Sequence, residues 1–397
     1  SATTREASRS TRPGGFFTDI GKEMQNIRYI GTKLREDAFF AETGIVWTPG
    51  MVETVQNEDV ANEMLKHKDV FEDAGDASIA ALSAPNSRFI EEFGSEVDGY
   101  WDAAFAAAMT YASTVGGLVI KLQKQQLYRL SGTMPTPALN ASNQMVPIAI
   151  IGAGSFWSGR DREVYGSTVL DIVGAATYGK IALNGFGLFA LRDLTLMDSA
   201  GTSGALLYTT NTTLHVKGVT FAHKDPLVYG TKTQDAIILG GPNQIEGGIG
   251  WTDGFQGYGT IIEGCHFHGS RRAVKLGAFA NNIIVRDNNV WRTCGDADGA
   301  PFEIDGGSGS ANCVGNMFVG NLIEMSYYKY GYTLAKASRN HISGGGFYDE
   351  GAPTVACFGL PGLSAGNNYF NVGFHNSTLP AFENVDLGYN FVIDSAN

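Results

Sequence analysis

Along this chain of 397 residues, one pattern of apolar and polar positions returns again and again between residues 191 and 374. It reads apolar, any, then Gly, Asp or Asn, then a small or apolar residue, any, apolar. The copies are 191–196, 216–221, 262–267, 285–290, 314–319, 342–347 and 369–374. Their starts lie 25, 46, 23, 29, 28 and 27 residues apart, and the 46 reads as two periods of 23. A period in the twenties built from short β-type strands predicts a solenoid. The third residues are Asp193, Gly218, Gly264, Asp287, Asn316, Gly344 and Asn371. These residue types tolerate a left-handed backbone, which a sharp corner between two strands requires. The flanking Leu, Val, Ile and Phe residues suit stacked, inward-facing strand positions.

A second apolar phrase precedes most copies, at 180–183, 205–208, 273–276, 301–304, 331–334 and 354–358. Each turn of the solenoid is therefore expected to carry at least two short strands, a bend and a loop of variable length. The phrase at 236–239 is expected to be the strand of a further turn hidden inside the 46-residue interval.

Upstream the pattern differs. Residues 1–43 begin as a polar arm carrying Arg5, Arg9 and Arg12, with too little apolar surface to fold alone. Residues 44–73 read as a small α+β unit: a strand pair, 45–50 and 51–55, turning at Pro49-Gly50, then a helix over 59–65 capped by Asn57. A linker over 74–86 follows, and a helix of small residues over 101–112. Residues 385–393 read as a final strand. The expected organisation is 1–95 as an arm and small attachment domain, 96–155 as cap helix and first strands, 156–380 as the solenoid, and 381–397 as an end cover.

Composition narrows the function. Charged residues are few (17%), glycines number 52, and the net charge of −12 argues against general nucleic-acid or anionic-membrane binding. No run of eighteen apolar residues occurs, so no membrane insertion is expected. Residues 1–15 lack the apolar core of a secretory signal. The four cysteines, Cys265, Cys294, Cys313 and Cys357, show no CxxC spacing, so neither a zinc nor a redox motif is expected, and no cofactor. Cys265 falls in an inward column and reads as core packing.

Residues 96–155 carry a resemblance. Asp98-Gly99 is followed by the alanine-rich helix, Gly116-Gly117, a strand from Leu118, Tyr128-Arg129-Leu130, and an apolar strand ending in Gly152-Ala153-Gly154. This resembles the start of pectate-lyase-like domains, with Asp98-Gly99 replacing the usual pair of aspartates at the turn. The resemblance covers roughly 96–380. It implies an all-β fold, a right-handed parallel β-helix with an α-helical N-terminal cap. The superfamily includes lyases, hydrolases and non-catalytic binders, so activity stays open. The layout is also similar to bacteriophage tailspikes, which implies a homotrimeric virion protein. It would attach to other virion proteins through residues 1–95 and engage a host surface polysaccharide. A non-catalytic receptor-binding or decorating spike, and a free bacterial polysaccharide lyase or hydrolase, are the alternatives.

A β-helix stacks equivalent loops about 5 Å apart along one edge. The loops after the repeated phrase bring His268, Arg271, Arg272, Trp291, Tyr327, Tyr328 and Tyr348 together as candidate glycan contacts, since aromatic faces stack on sugars and Arg binds hydroxyls and uronates. Along the same edge Asp296, Asp298, Asp349 and Glu350 are the acid/base candidates, because glycoside cleavage needs two carboxylates about 5–10 Å apart. A lyase would instead draw its base from Arg292, Lys329 or His268. Asp296-Ala297-Asp298 with Glu303 or Asp305 also suits calcium, and equally suits plain turn chemistry. His266 is expected to point outward and carries no assigned role. The aromatic, Gly-rich insertion 251–258 reads either as a sugar-binding lip or as a patch buried against another subunit. Asn288 reads as a structural inward asparagine.

Overall fold

The computed structural model describes residues 25–29, 52–55, 71–73, 86–155, 167–224, 228, 230–240, 257–291, 294–296, 298–306, 313–324, 327–348, 356–359, 368–372, 375–376, 382–383 and 391–394. The chain divides into two compact units, Ser1–Pro85 and Asn86–Asn397. In the first, the strands Gln25–Tyr29, Val52–Val55 and Phe71–Asp73 form an antiparallel sheet with Gln25–Tyr29 in the middle. The strand expected over 51–55 thus pairs with Gln25–Tyr29. Its expected partner at 45–50 and the helix at 59–65 lie outside the described residues.

The second unit is a parallel β-helix. Among the described residues its strands build three long sheets of 11, 9 and 8 strands and one two-stranded sheet, Cys313–Val314 beside Ala337–Ser338, and successive turns visit the three long sheets in the same order. One turn shows the plan: Thr212–Lys217 lies in the first sheet, Thr220–His223 in the second and Ile237–Leu239 in the third, and Ile261–Glu263 returns to the first. Every connection between neighbouring strands of a sheet is a crossover between parallel strands, which takes the right-handed sense. Period-2 alternation decides what fills the interior. Leu191, Val216, Ile262 and Val285 stack from the first sheet, Leu196, Phe221, Phe267 and Val290 from the second, and all are buried. Phe221 and Phe267 lie with ring centroids 5.1 Å apart at 8°. Burying such a side chain stabilises the fold by about 1.5–3 kcal/mol.

Between the first and second sheets the corner residues Asp193, Gly218, Gly264 and Asp287 have φ of 53°, 61°, 60° and 55°. The first four copies of the repeat therefore stand in one register, with the left-handed residue where the pattern places it. The fifth does not. Phe318 pairs with Val285, so the corner falls at Gly320 (φ 69°) and Asn321 takes the buried place of Asn288. The sixth returns to register at Gly344, and the seventh is displaced by one, since Phe370 pairs with Ile342. The 46-residue interval holds no hidden turn: Val216 pairs directly with Ile262. Ile237–Leu239 is the third-sheet strand of that single turn, whose connections are long.

Two buried asparagine ladders stitch the corners. Asn288 Nδ2 donates to Asn321 Oδ1 at 2.9 Å and to the Ile262 carbonyl at 3.2 Å, while its Oδ1 accepts from the Cys265 amide. At the corner before the first sheet, Asn316, Asn340 and Asn368 repeat this arrangement.

At the N-terminal end, α1 (Asp102–Val115) covers the open coil with Ala104, Phe105, Ala108, Met109 and Ala112. It stops where Gly116 turns left-handed (φ 83°). Asp102 accepts the amides of Ser131 and Gly132, tying the cap to the strand Leu127–Leu130. Ser87–Phe89 pairs beside Leu118–Lys121, so the first sheet already begins ahead of Glu96. Asp98 and Gly99, both at positive φ, form the turn of a small hairpin closed by Val97 and Tyr100.

Candidate functional site

The outer face of the second sheet is closed at Thr195, Thr220 and Ala222 and opens on the turns that follow. Thr195, Thr220 and Ala222 are buried, whereas His266 is exposed and Asn289, Trp291, Leu322 and Glu324 are half-buried. The register explains the grouping: Thr220 pairs with His266, His266 with Asn289, and Asn289 with Leu322, one column of outward positions. Two residues along each strand lie His268, Trp291 and Glu324. Trp291 stacks on His268 with centroids 5.0 Å apart. Burial holds the His268 imidazole down at a pKa of about 3, with a further push from His266, so this ring is neutral at physiological pH. Asn289 Oδ1 and Trp291 Nε1 are shielded from solvent and lack a hydrogen-bond partner. Each such orphan costs about 1–3 kcal/mol.

The neighbouring corner, leading to the third sheet, is held by charge. Asp235 accepts Nε and Nη2 of Arg271 at 3.0 and 2.8 Å, and Nε and Nη2 of Arg272 at 2.9 and 3.0 Å. Arg272 Nη1 reaches Glu303 at 2.5 Å, and Lys275 pairs with the same carboxylate at 2.9 Å. Burial pushes the Asp235 carboxyl up, but the two guanidiniums outweigh it and leave it below the ordinary value. Glu303 behaves alike, with Arg272 and Lys275 overcoming its burial. Deeper in the stack, Lys180 and Asp198 form a fully buried pair at 3.0 Å. Asp198 also accepts the Ala200 and Gly201 amides.

Against this geometry the sequence-predicted residues separate. Trp291 and Tyr327 are half-buried, and Arg271 presents a third of its side chain while clamped on Asp235. His268, Arg272 and Tyr328 are 1%, 8% and 1% exposed, which corrects the expectation that they offer surface to a sugar. Tyr328 belongs to the hydrophobic core, and its hydroxyl points at the Ser270 carbonyl. At the ends of these short strands the alternation breaks, so the pattern along the chain does not tell inward from outward.

Asp296 is half-buried and Asp298 exposed. The Asp296 side chain accepts the Asp298 amide at 3.3 Å and its carbonyl accepts the Gly299 amide at 3.2 Å, a turn stabilised by its own first residue. Arg292, Asp349 and Glu350 lie outside the described residues, as does most of the insertion 251–258. Tyr348 closes the strand Gly346–Tyr348, opposite Glu324. Among the described residues no three His, Cys, Asp or Glu side chains converge on a metal position. Glu303, one of the expected calcium partners, is engaged by Arg272 and Lys275.

Asp235, His266, Asn289 and Glu324 are site residues that the sequence reading left unassigned. For His266 and Asn289 the signal was available in the two-residue spacing from His268 and Trp291. Asp235 had none, because its partners Arg271 and Arg272 come from the next turn.

No protein-family model matches the chain, and no curated protein matches it. Among solved structures it is similar to ORF18 of Geobacillus virus E2, at 13% identity and a TM-score of 0.47 over 89% of this chain and 67% of that one. It is also similar to the A-module of the Azotobacter vinelandii mannuronan C-5 epimerase AlgE6, at 13% identity and a TM-score of 0.38 over 78% and 99%. The tailspike protein of E. coli bacteriophage HK620 matches at 10% identity and a TM-score of 0.38 over 75% and 68%.

Proposed function

We propose that this chain is a phage-type virion spike whose β-helix binds a host surface polysaccharide along the open part of the second sheet's outer face. Residues 1–95 dock it to other virion proteins, and it works as a homotrimer. The observation that carries the reading is the gathering of an indole, an imidazole, an amide and a carboxylate (Trp291, His266, Asn289 and Glu324) on consecutive turns of one accessible face. A flat aromatic ring takes the C–H face of a sugar, and polar groups beside it take hydroxyls. Tyr327 and Arg271 extend the surface toward the corner loops, and Tyr348 is the proposed further glycan contact. The buried members position rather than touch: His268 backs the Trp291 ring, Arg272 fixes the Asp235 that orients Arg271, and Tyr328 pairs its backbone with Asp296. Among the described residues no helix is long and apolar enough to cross a membrane.

A second reading, cleavage of the bound glycan, is favoured by Asp296 and Asp298, which stand at the adjoining turn with part of their surface in solvent. Asp349 and Glu350 are the proposed second carboxylate, and Arg292 the base if the reaction is an elimination. The test is binding of the purified chain to capsular and lipopolysaccharide fractions of candidate hosts, with reducing ends and ultraviolet absorbance followed beside Asp296→Asn and Asp349→Asn. Trp291→Ala is expected to weaken binding ~tenfold or more. Unchanged binding in that variant, or no binding to any fraction, sinks the glycan reading. Binding without product removes the catalytic one alone.

A further inference from the structure

Among the described residues, Lys180 is the one buried lysine. Its side chain and that of Asp198 are both 0% exposed, and its Nζ lies 3.0 Å from Asp198 Oδ2. The other lysine–carboxylate pairs, Lys217 with Glu263 and Lys275 with Glu303, leave 58% and 27% of the lysine exposed. The remaining pairs use guanidinium groups, which stay protonated and so make poor nucleophiles. Lys180 Nζ also donates to the Gly174 carbonyl at 2.5 Å and to the Thr202 hydroxyl. The three hydrogens of the ammonium are thus directed at three placed acceptors, one of them the carboxylate.

The two oxygens of Asp198 have different surroundings. Oδ1 accepts the backbone amides of Ala200 at 3.1 Å and Gly201 at 3.0 Å, in a turn led by the aspartate itself. Such a pair of backbone donors is the kind that stabilises an oxyanion. Oδ2, which faces Lys180, accepts Gln234 Nε2 at 3.2 Å and the Thr202 hydroxyl at 3.4 Å. Thr202 therefore touches both the amine and the oxygen beside it. The coil brings these groups together from different turns. Lys180 belongs to the third-sheet strand Gly179–Leu183, and Asp198 ends the second-sheet strand Thr195–Asp198 of the following turn.

We infer that Lys180 and Asp198 condense into an intramolecular amide, a covalent staple between consecutive turns of the coil. The proton they share passes from Nζ to Oδ2, which removes two unsolvated charges at once. The freed lone pair on Nζ attacks Cγ, the carbon bonded to that oxygen. The negative charge of the tetrahedral centre falls on Oδ1, between the Ala200 and Gly201 amides. The Thr202 hydroxyl takes a second proton from nitrogen and gives its own to Oδ2, which leaves as water while the carbonyl re-forms at Oδ1. One ammonium and one carboxylate become one amide and one water, with nothing oxidised or reduced. Holding amine and carboxyl in contact supplies the effective concentration that condensation in water lacks. The released water departs past Thr202, which is half-buried. Each turn of a solenoid contacts only its neighbours, so a bond between two turns opposes unwinding at that point. The inference is independent of the glycan reading, whose residues lie on later turns.

The test is the intact mass of the full chain under denaturing conditions, beside Lys180→Arg. The wild type is expected to carry a population lighter than its sequence by one water, and Lys180→Arg to show its full mass. Proteolysis and tandem mass spectrometry should then yield a branched peptide joining Lys180 to Asp198. A wild type at full mass, both fresh and after prolonged incubation of the folded protein, overturns the inference. So does a water lost elsewhere, as in a succinimide at Asp98-Gly99, or the same loss persisting in Lys180→Arg. The wild-type mass and the branched peptide decide the matter by themselves, so a Lys180→Arg chain that fails to fold leaves the test intact.

Discussion

Asn340 offers a quantitative test of what holds the coil in register. Its Oδ1 accepts the Asn316 amide at 3.0 Å and Asn316 Nδ2 at 2.9 Å. Its Nδ2 donates to the Cys313 carbonyl at 3.2 Å and to Asn368 Oδ1 at 2.9 Å. The residue is 1% exposed, so water does not replace what is removed. At about 1 kcal/mol net per bond, Asn340→Ala is expected to cost ~4 kcal/mol, and orphaned groups at Asn316 and Cys313 raise that figure. Asn340→Asp keeps the shape but aims a carboxylate oxygen at two acceptors, so it should be at least as damaging. A solenoid's energetics are local, and the assay is therefore hydrogen exchange resolved by peptide. Peptides spanning 313–319 and 337–344 should exchange up to ~1,000-fold faster, at a factor of ten per 1.4 kcal/mol. Peptides over 179–192 should change far less. Acceleration below tenfold in Asn340→Ala, or wild-type protection in Asn340→Asp, would refute the ladder as a source of stability.

Lys180→Met should destabilise by ~3–5 kcal/mol, because it strands the Asp198 carboxylate in a site with no exposure. The double variant Lys180→Met/Asp198→Leu should recover part of that loss in denaturant midpoint, and additive losses would argue against direct coupling. Acid should weaken the fold through two buried imidazoles, held by desolvation at pKa values of about 4 for His223 and about 3 for His268. Below the unfolded value near 6.5 the unfolded chain binds protons that these rings do not. Their contribution is thus full above pH 6.5 and declines as pH falls toward 4 and 3, by at most ~1.4 kcal/mol per pH unit for each ring. Melting curves of His268→Phe between pH 7 and pH 5 should show a shallower decline than wild type, and an identical slope would contradict the assignment.

Much of the fold could be read along the chain because a solenoid's contacts repeat at nearly constant separation. Leu191, Val216, Ile262 and Val285 announce their stacking by their spacing, and Asp193, Gly218, Gly264 and Asp287 announce the corner by the backbone they tolerate. The cap helix was legible from its small residues and from Gly116 for a similar reason: both are local requirements. Register was not always legible. Around 314–319, two asparagines, Asn316 and Asn321, each suit a corner, and only pairing across turns shows that Gly320 makes the one between the first and second sheets. At 369–374 aromatic residues at adjacent positions, Tyr369 and Phe370, satisfy the pattern in two registers that differ by one residue and so by the face of the sheet.

The site was legible only as a neighbourhood. Loop stacking follows from the repeat, so Trp291, Arg271, Tyr327 and Asp296 were assigned to one edge from the sequence alone. Whether a side chain there meets solvent depends on what the other turns lay over it. His268 and Tyr328 are enclosed, and Arg272 is drawn inward by Asp235 and Glu303, which lie 37 and 31 residues from it in the chain. By itself the sequence determined the coil, its corners, its cap and the edge where polar and aromatic residues gather, because each rests on local backbone preference and a fixed period. Only the tertiary structure decided register, exposure and charge pairing, because these are settled between turns, where distance along the chain carries no information.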